Sequence, residues 1–137
     1  MRDPTGGFAK GDCPCGRSDA RGRALAFAAC CGRFIGEAPA PDAESLMRSR
    51  YTAYVLGDES YLLATWHPST RPAQVRPDPA SKWIGLEVRE HVVTDPSHAE
   101  VEFVARYRVQ GRGGRLQERS RFVREEGRWY YLDGQVG

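Results

Sequence analysis

The arrangement of the cysteines constrains this chain more than any other feature of its sequence. All four lie in the first quarter of the chain, as Cys13 and Cys15 around a proline and as the adjacent pair Cys30 and Cys31. Soft thiolate ligands suit zinc, and four of them form the closed tetrahedral shell that is typical of structural sites. The cysteines therefore predict one zinc ion held by all four side chains.

The segment between the two pairs is predicted to bring them together. Residues 23–29 are rich in alanine, which favours a short helix, and Gly32 is expected to end that helix. Such a helix would place Cys30 and Cys31 beside the first pair.

Three interpretations of the cysteines compete with zinc binding. Disulfides require an oxidising compartment, and residues 1–7 are polar without the apolar core of a signal peptide, so we expect a cytoplasmic protein. Bridges within either cysteine pair would also be strained. A redox-active dithiol and inert core cysteines are the other two alternatives, although the CxxC sequence usual for redox motifs is absent. Zinc binding is the hypothesis that we prefer.

The sequences CPCG and CCG resemble the SEC-C motif, a small zinc module best known from the C-terminal tail of the SecA translocase. The linker between the pairs is longer here than in common SEC-C sequences, and no histidine precedes the last cysteine. The resemblance covers residues 12–34. It implies a zinc site and a role in binding a protein partner, as the SecA tail binds its chaperone.

Composition restricts the class of protein. The chain has 137 residues, enough for one packed domain of about a hundred residues after the cysteine segment. Its hydrophobic content of 40% and charged content of 28% are ordinary for a globular protein. No apolar run is as long as a membrane span. The net charge of +2 is too small to predict nucleic-acid binding.

Residues 106–128 form a locally basic stretch, with eight arginines against three glutamates. Such a stretch can contact phosphates or an acidic protein, so nucleic acid is a weakly supported partner. A solvated surface in which arginine is the preferred cation is the plainer explanation.

The sequence after Gly36 predicts an α+β fold. The Pro-rich residues 36–41 predict a linker between a zinc-binding module, residues 1–36, and a larger domain, residues 37–137. A first helix is expected between the cap Asp42 and Gly57, because apolar residues recur there at helical spacing. A second helix is expected from Glu59 to about residue 66.

Alternating apolar and polar residues then predict four strands joined by short turns, at about residues 83–93, 99–109, 115–125 and 129–133. An antiparallel sheet with both helices on its apolar face follows from this order. In the first strand the residues expected on the buried face are Ile84, Leu86, Val88 and Val92.

Several stretches closely resemble the bacterial YchJ family, among them LMRSRYTAYVLG at residues 46–57, YLLATWHPSTRP at 61–72 and GRWYYLDG at 127–134. The resemblance covers nearly the whole chain. It implies the curved sheet and helices of the nuclear transport factor 2-like superfamily together with zinc, but no activity, because the family is largely uncharacterised.

Domains of that superfamily often enclose a pocket between helices and sheet, and some are isomerases or dehydratases. The resemblance therefore implies a candidate pocket lined by Arg50, Tyr54, Trp66, His67, Arg71, Tyr107, Glu118 and Asp133. His67 with Glu118 or Asp133 can act as a general acid/base pair if the two groups lie within hydrogen-bond distance. A histidine that only ends a helix is the plainer explanation of His67.

Two functions of different classes follow. The first is a zinc-stabilised protein-interaction protein whose second domain is a scaffold. The second is a small-molecule binder or enzyme that uses the pocket. The sequence does not decide whether the protein is an enzyme, and a homodimer formed through the sheet is expected by analogy alone.

Overall fold

The computed structural model describes residues 11–36 and 38–137. Residues 1–10, on which the signal-peptide prediction rests, and residue 37 of the predicted linker lie outside the described residues. Among the helices of the described part, none combines the length and the apolar character needed to cross a membrane.

A hairpin-like loop joins the two cysteine pairs, so the predicted alanine-rich helix over residues 23–29 is wrong. An isolated antiparallel bridge pairs Ser18 with Ala24. The amide of Leu25 donates across the loop to the carbonyl of Arg17 at 3.1 Å. These bonds occupy backbone groups that a helix would have paired within itself.

A short 3-10 helix, Phe27–Ala29, and helix α1, Cys31–Gly36, follow the loop. Gly32 lies inside α1 and does not end a helix, contrary to expectation. A Cβ at Gly32 would lie only 2.7 Å from the carbonyl oxygen of Phe27. A close contact, and not a helix-ending conformation, therefore explains the glycine at this position.

The two helices predicted after the linker are confirmed as α2, Ala43–Leu56, and α3, Glu59–Ala64. The Asp42 carboxylate caps α2 by accepting a hydrogen bond from the amide three residues on, at 2.7 Å. Gly57 ends α2 with a φ of 73°, a conformation that favours glycine. α3 is about two residues shorter than predicted.

Four antiparallel strands form one sheet in chain order, which confirms the predicted α+β class. They are β1, Ser81–Asp95; β2, His98–Val109; β3, Arg112–Glu125; and β4, Arg128–Val136. Residues 69–80 reach β1 without helix or strand, as expected.

Bulges change which side chains of β1 face the core. The pairing with β2 shifts between Trp83 and Gly85 and again between Val88 and Glu90. A bulge inserts an extra residue and reverses the alternation beyond it. Trp83 consequently packs against the core while Ile84 is 45% exposed, so the prediction that Ile84 lies on the buried face is wrong.

The core lies between α2 and the inner face of the sheet, and it extends into the cysteine segment. Alternate residues of β2 are buried against it, namely Ala99, Val101, Phe103 and Ala105. Leu46, Met47 and Tyr51 of α2 belong to the same apolar cluster, as do all four cysteines and Phe34. This continuity positions the cysteine segment against α2.

Candidate metal centre and interior cavity

Two short segments bring the cysteines together. Cys13 and Cys15 lie on the first arm of the loop, where the Cys13 amide donates to the opposite arm at 2.8 Å. Cys30 lies immediately before α1, and Cys31 begins it. The loop and α1 therefore fold the two pairs onto each other.

The four sulfurs form a compact, buried cluster. Their Sγ atoms all lie within 4.8 Å of one another, and those of Cys15 and Cys30 are 3.6 Å apart. Each cysteine is at most 3% exposed. A tetrahedral zinc ion with zinc–sulfur distances of about 2.3 Å holds its sulfurs about 3.8 Å apart. The cluster therefore has the size that a thiolate-bound ion requires.

Hydrogen bonds among the thiols move their pKa values in opposite directions. Hydrogen bonds from Cys15 and Cys31 lower the pKa of Cys13, whereas bonding to Cys13 raises the pKa of Cys31. A hydrogen bond from Cys31 lowers the pKa of Cys30 to about 7. Metal binding needs thiolates, so an ion held by all four cysteines would displace the protons that these side chains carry.

Helix α2 supports the cluster from one side. Arg48 donates to the carbonyl of Cys15 at 3.1 Å and to Glu44 at 2.9 Å. Burial opposes the charge of Arg48, but the hydrogen bond to Glu44 and the charge of Cys15 together raise its pKa. Thr52 Oγ1 lies 3.9 Å from Cys13 Sγ. The cluster thus has a cation and a hydroxyl beside it, which suits a group that carries negative charge.

A separate cavity of about 230 Å³ lies between α2 and the sheet. Half of the predicted pocket residues line it, namely Arg50, Tyr54, Trp66 and Glu118. The rest of its wall is mostly apolar or aromatic and includes Met47, Trp83, Phe103, Leu116 and Phe122.

Arg50 is almost fully buried beside this cavity, with 6% exposure. Its Nη1 donates to the Leu62 carbonyl at 2.8 Å and to the Thr65 hydroxyl at 2.7 Å. The guanidinium carbon lies 4.5 Å from the ring centre of Tyr131 and 5.1 Å from that of Trp66. Burial lowers the pKa of Arg50. Neutral acceptors and aromatic rings therefore surround this cation.

Glu118 is held by its neighbours on the sheet. Its Oε2 accepts hydrogen bonds from the Ser120 hydroxyl at 2.6 Å and from the Tyr131 hydroxyl at 3.2 Å. Gly134 pairs with Ser120 across β3 and β4, and a Cβ at Gly134 would overlap the Glu118 carboxylate. Sequence reasoning missed these three supporting residues. The alternation of β3, which places Glu118 and Ser120 on one face, is the signal that indicates them.

The acid/base pair expected of His67 does not form. His67 Nε2 lies 2.9 Å from a carboxylate oxygen of Glu125, and its Nδ1 lies 2.7 Å from the Ser69 hydroxyl. Asp133 instead accepts a hydrogen bond from Arg121 at 2.6 Å. Because of these partners, His67 and Asp133 lie away from the described cavity wall, and the prediction that His67 works with Glu118 or Asp133 is wrong.

Two further predicted residues also lie outside the described wall of the cavity. The ring of Tyr107 packs against Trp83 with 5.4 Å between centres, beyond the tryptophan that lines the cavity. Arg71 donates to the carbonyl of Trp66 at 2.9 Å. Tyr107 and Arg71 therefore contact the tryptophans that line the cavity and do not line it themselves.

The basic stretch is partly neutralised on the outer face of the sheet. Arg119 forms ion pairs with Glu90, Glu100 and Glu102 at 2.5 Å, 2.5 Å and 3.0 Å. Arg121 pairs with Asp133. These pairs favour the plainer explanation of the arginines over a phosphate-binding surface.

Comparison with known proteins identifies relatives along almost the whole chain. The family model described as YchJ, middle NTF2-like domain, matches residues 42–134. A UPF0225 protein of Methylibium petroleiphilum is 60% identical over 126 residues, which cover 90% of this chain and 88% of the relative. A UPF0225 protein of a Polaromonas species is 61% identical over 126 residues, or 89% and 91% of the two chains.

Solved structures show the same fold. The solution structure of a SEC-C motif containing protein from Rhodopseudomonas palustris is similar with a TM-score of 0.79 and 32% identity, covering 92% of this chain and 98% of that one. The crystal structure of a SEC-C motif containing protein from Psychrobacter arcticus is similar with a TM-score of 0.78 and 28% identity, covering 95% and 85%. These similarities confirm the predicted nuclear transport factor 2-like fold and the SEC-C resemblance.

Proposed function

We propose that this protein, which belongs to the YchJ family, holds one structural zinc ion through Cys13, Cys15, Cys30 and Cys31 and binds a protein partner through the segment that the ion stabilises. The buried cluster of four sulfurs within 4.8 Å of one another is the observation that carries the proposal. The segment that carries Cys30 and Cys31 has little regular structure of its own, since the 3-10 helix and α1 are both short.

The donor set favours a structural ion. Four thiolates complete a tetrahedral shell and leave no position for a substrate or a reactive water. A shell of four sulfurs suits zinc or iron, and zinc brings no redox chemistry. When bound, the ion would cross-link the loop to α1 and neutralise part of the charge of the thiolates, while Arg48 would offset part of the remainder.

The loop between the cysteine pairs is the surface that the bound ion would stabilise and that a partner would contact. Residues 18–24 are all exposed. The Asp19 carboxylate nevertheless orders this tip, because it accepts hydrogen bonds from the amides of Arg21 at 2.8 Å and Arg23 at 3.0 Å. The arginine side chains project from an ordered turn, which supports recognition of an acidic protein surface.

Metal content is the first test. The protein should be purified without chelator, its metals measured by elemental analysis, and its thiols titrated in native and denaturing conditions. We expect about one zinc per chain and thiols that react only after denaturation or chelation. Iron in place of zinc would correct the identity of the ion. Absence of any metal together with freely reactive thiols would overturn the proposal.

Partner binding needs variants that separate the surface from the ion. Arg21→Glu with Arg23→Glu reverses the charge of the tip and leaves every cysteine in place, so zinc should stay bound while partner capture falls. Cys13→Ser with Cys30→Ser should lose both. Ser18→Ala, at an exposed position of the same loop, is the control and should change neither. A set of captured partners that is identical for all three variants would refute the interaction role.

A further inference from the structure

We propose that the interior cavity binds a small organic monocarboxylate with an apolar body, and that Arg50 is its anion-binding group. The cavity lies in a different part of the molecule from the cysteine cluster, and no cysteine is among the described residues of its wall.

Arg50 has an unusual environment for a buried arginine. Buried arginines are ordinarily paired with a carboxylate, because an unpaired buried charge is costly. Within the described residues no carboxylate oxygen lies within 4 Å of Arg50, although Glu118 lines the same cavity. The hydrogen bonds of Arg50 with described residues all come from Nη1. Its Nε and Nη2 groups therefore have donors to offer a ligand.

The N–H donors of Arg50 have a geometry that suits a carboxylate. A guanidinium presents its N–H groups in a planar fork that matches the two oxygens of a carboxylate. The hydrogen bonds of Nη1 to Leu62 and Thr65 fix one side of the guanidinium, and the rings of Trp66 and Tyr131 pack against it. A cation held in this way is already oriented, so a ligand loses little affinity to ordering the side chain.

The volume of the cavity and the apolar character of its remaining wall suit the body of a small organic acid. A dry apolar cavity of about 150 Å³ is large enough to hold benzene. The present cavity of about 230 Å³ has room for one ring with a carboxylate attached. Apolar side chains such as Met47, Phe103, Leu116 and Phe122 would surround that ring.

Glu118 restricts the charge of the ligand. Its carboxylate is held in the same cavity by Ser120 and Tyr131. One negative charge of a ligand would pair with Arg50, whereas a second one would meet the like charge of Glu118. The cavity therefore selects monoanions over dicarboxylates and phosphate.

Benzoate and its neutral isostere benzamide are the probes that test this inference. Binding can be followed by two-dimensional NMR of the intact protein, using the indole N–H signals of Trp66 and Trp83, while Trp129, which is not among the described residues of the cavity wall, serves as the reference. We expect benzoate to shift the two cavity indoles with a dissociation constant on the order of millimolar, as its small size allows. Benzamide should bind roughly tenfold to a hundredfold more weakly, because charge-assisted hydrogen bonds are lost.

Two variants and one control locate the site. Arg50→Met should remove the preference for benzoate over benzamide. Leu116→Trp fills the cavity without touching Arg50 and should remove binding of both probes. Arg106→Met, on the exposed outer face of β2, should bind like the unaltered protein. The Leu116→Trp variant and the comparison of the two probes decide the question even if Arg50→Met does not fold.

Equal affinity for benzoate and benzamide would overturn the role of Arg50 as an anion-binding group. Failure of both probes to shift the cavity indoles would overturn the ligand site itself. Binding of phthalate, a dicarboxylate, as tightly as benzoate would refute the restriction attributed to Glu118.

Discussion

Replacing Gly32 by alanine should destabilise the protein, because α1 approaches the preceding turn too closely for a side chain. A Cβ at Gly32 would lie 2.7 Å from the Phe27 carbonyl oxygen and 2.9 Å from Phe27 Cε2. That carbonyl also accepts the Cys30 amide at 3.0 Å, so it cannot turn away without losing a hydrogen bond. Overpacking costs about 1–3 kcal/mol, and a contact with a backbone atom lies in the upper part of that range, at about 2–3 kcal/mol. The better helix propensity of alanine returns about 1 kcal/mol. We expect a net loss of about 1–2 kcal/mol.

Gly36→Ala is the matched control, because it adds the same methyl group to the same helix. Among the described residues nothing lies within 4 Å of a Cβ at Gly36. The control should therefore be as stable as the unaltered protein or slightly more stable. Thermal unfolding of the metal-loaded proteins measures the difference, and 1–2 kcal/mol corresponds to roughly 3–8 °C in a chain of this size.

The same substitution should also weaken metal binding, because relief of the contact moves the start of α1 and with it Cys31. Competition with a chelator should remove metal from Gly32→Ala more readily than from Gly36→Ala. Equal stability and equal metal retention in the two variants would refute the inference that contact with Phe27 requires a glycine at position 32.

Three further predictions follow from other parts of the structure. Acidification toward about pH 5 should release the metal, because protons compete for the thiolates, and elemental analysis after dialysis measures the loss. Arg121 lowers the pKa of Asp133, so this ion pair stabilises the fold at pH values above the pKa that Asp133 has in the unfolded chain. The stabilisation is lost as the pH falls through the lower pKa of Asp133 in the folded protein. The unfolding midpoints of Asp133→Asn and of the unaltered protein should therefore differ slightly at neutral pH and converge in acid. Phe122→Ala should cost about 3–5 kcal/mol in chemical unfolding, whereas Ile84→Ala, at an exposed position, should change stability by less than about 0.5 kcal/mol; similar losses would contradict the assigned core.

Much of the fold was predictable because local signals and the final structure agree. Asp42 and Gly57 act within one turn of the chain, so the bounds of α2 follow from cap chemistry alone. The alternation of β2 survives because no bulge interrupts it between Ala99 and Ala105. The clustering of the cysteines was also predictable, since four soft ligands in two pairs suit a single tetrahedral ion.

The path between the cysteine pairs was not predictable from propensity. Alanine favours a helix, but the amides of Leu25 and Phe27 bond across the loop to Arg17 and Gly11. Such bonds depend on a turn at Gly22, whose φ of 80° is a conformation that favours glycine. Tertiary pairing thus overrides the local preference.

The composition of the cavity was predictable only in part, because which partner a polar side chain meets depends on strand register. Glu118 and Asp133 both lie on the sheet, but the irregular pairing between Arg121 and Phe122 shifts β4 relative to β3. Asp133 consequently meets Arg121 on the outer face, whereas the alternation of β3 turns Glu118 toward the cavity. His67 likewise meets Glu125 because its amide is bonded to the carbonyl of Tyr131 at 2.8 Å.

Helix α2 connects the cysteine cluster to the cavity. Arg48 and Thr52, one turn apart, face the cysteines, whereas Arg50 and Tyr54 line the cavity. Two residues along a helix correspond to a rotation of roughly 200°, so nearly opposite faces serve the two places. The helix can hold Arg50 in a fixed orientation only while its other face stays packed against the cysteine segment. Loss of the metal would therefore loosen α2 and weaken carboxylate binding, even though no cysteine lines the described cavity.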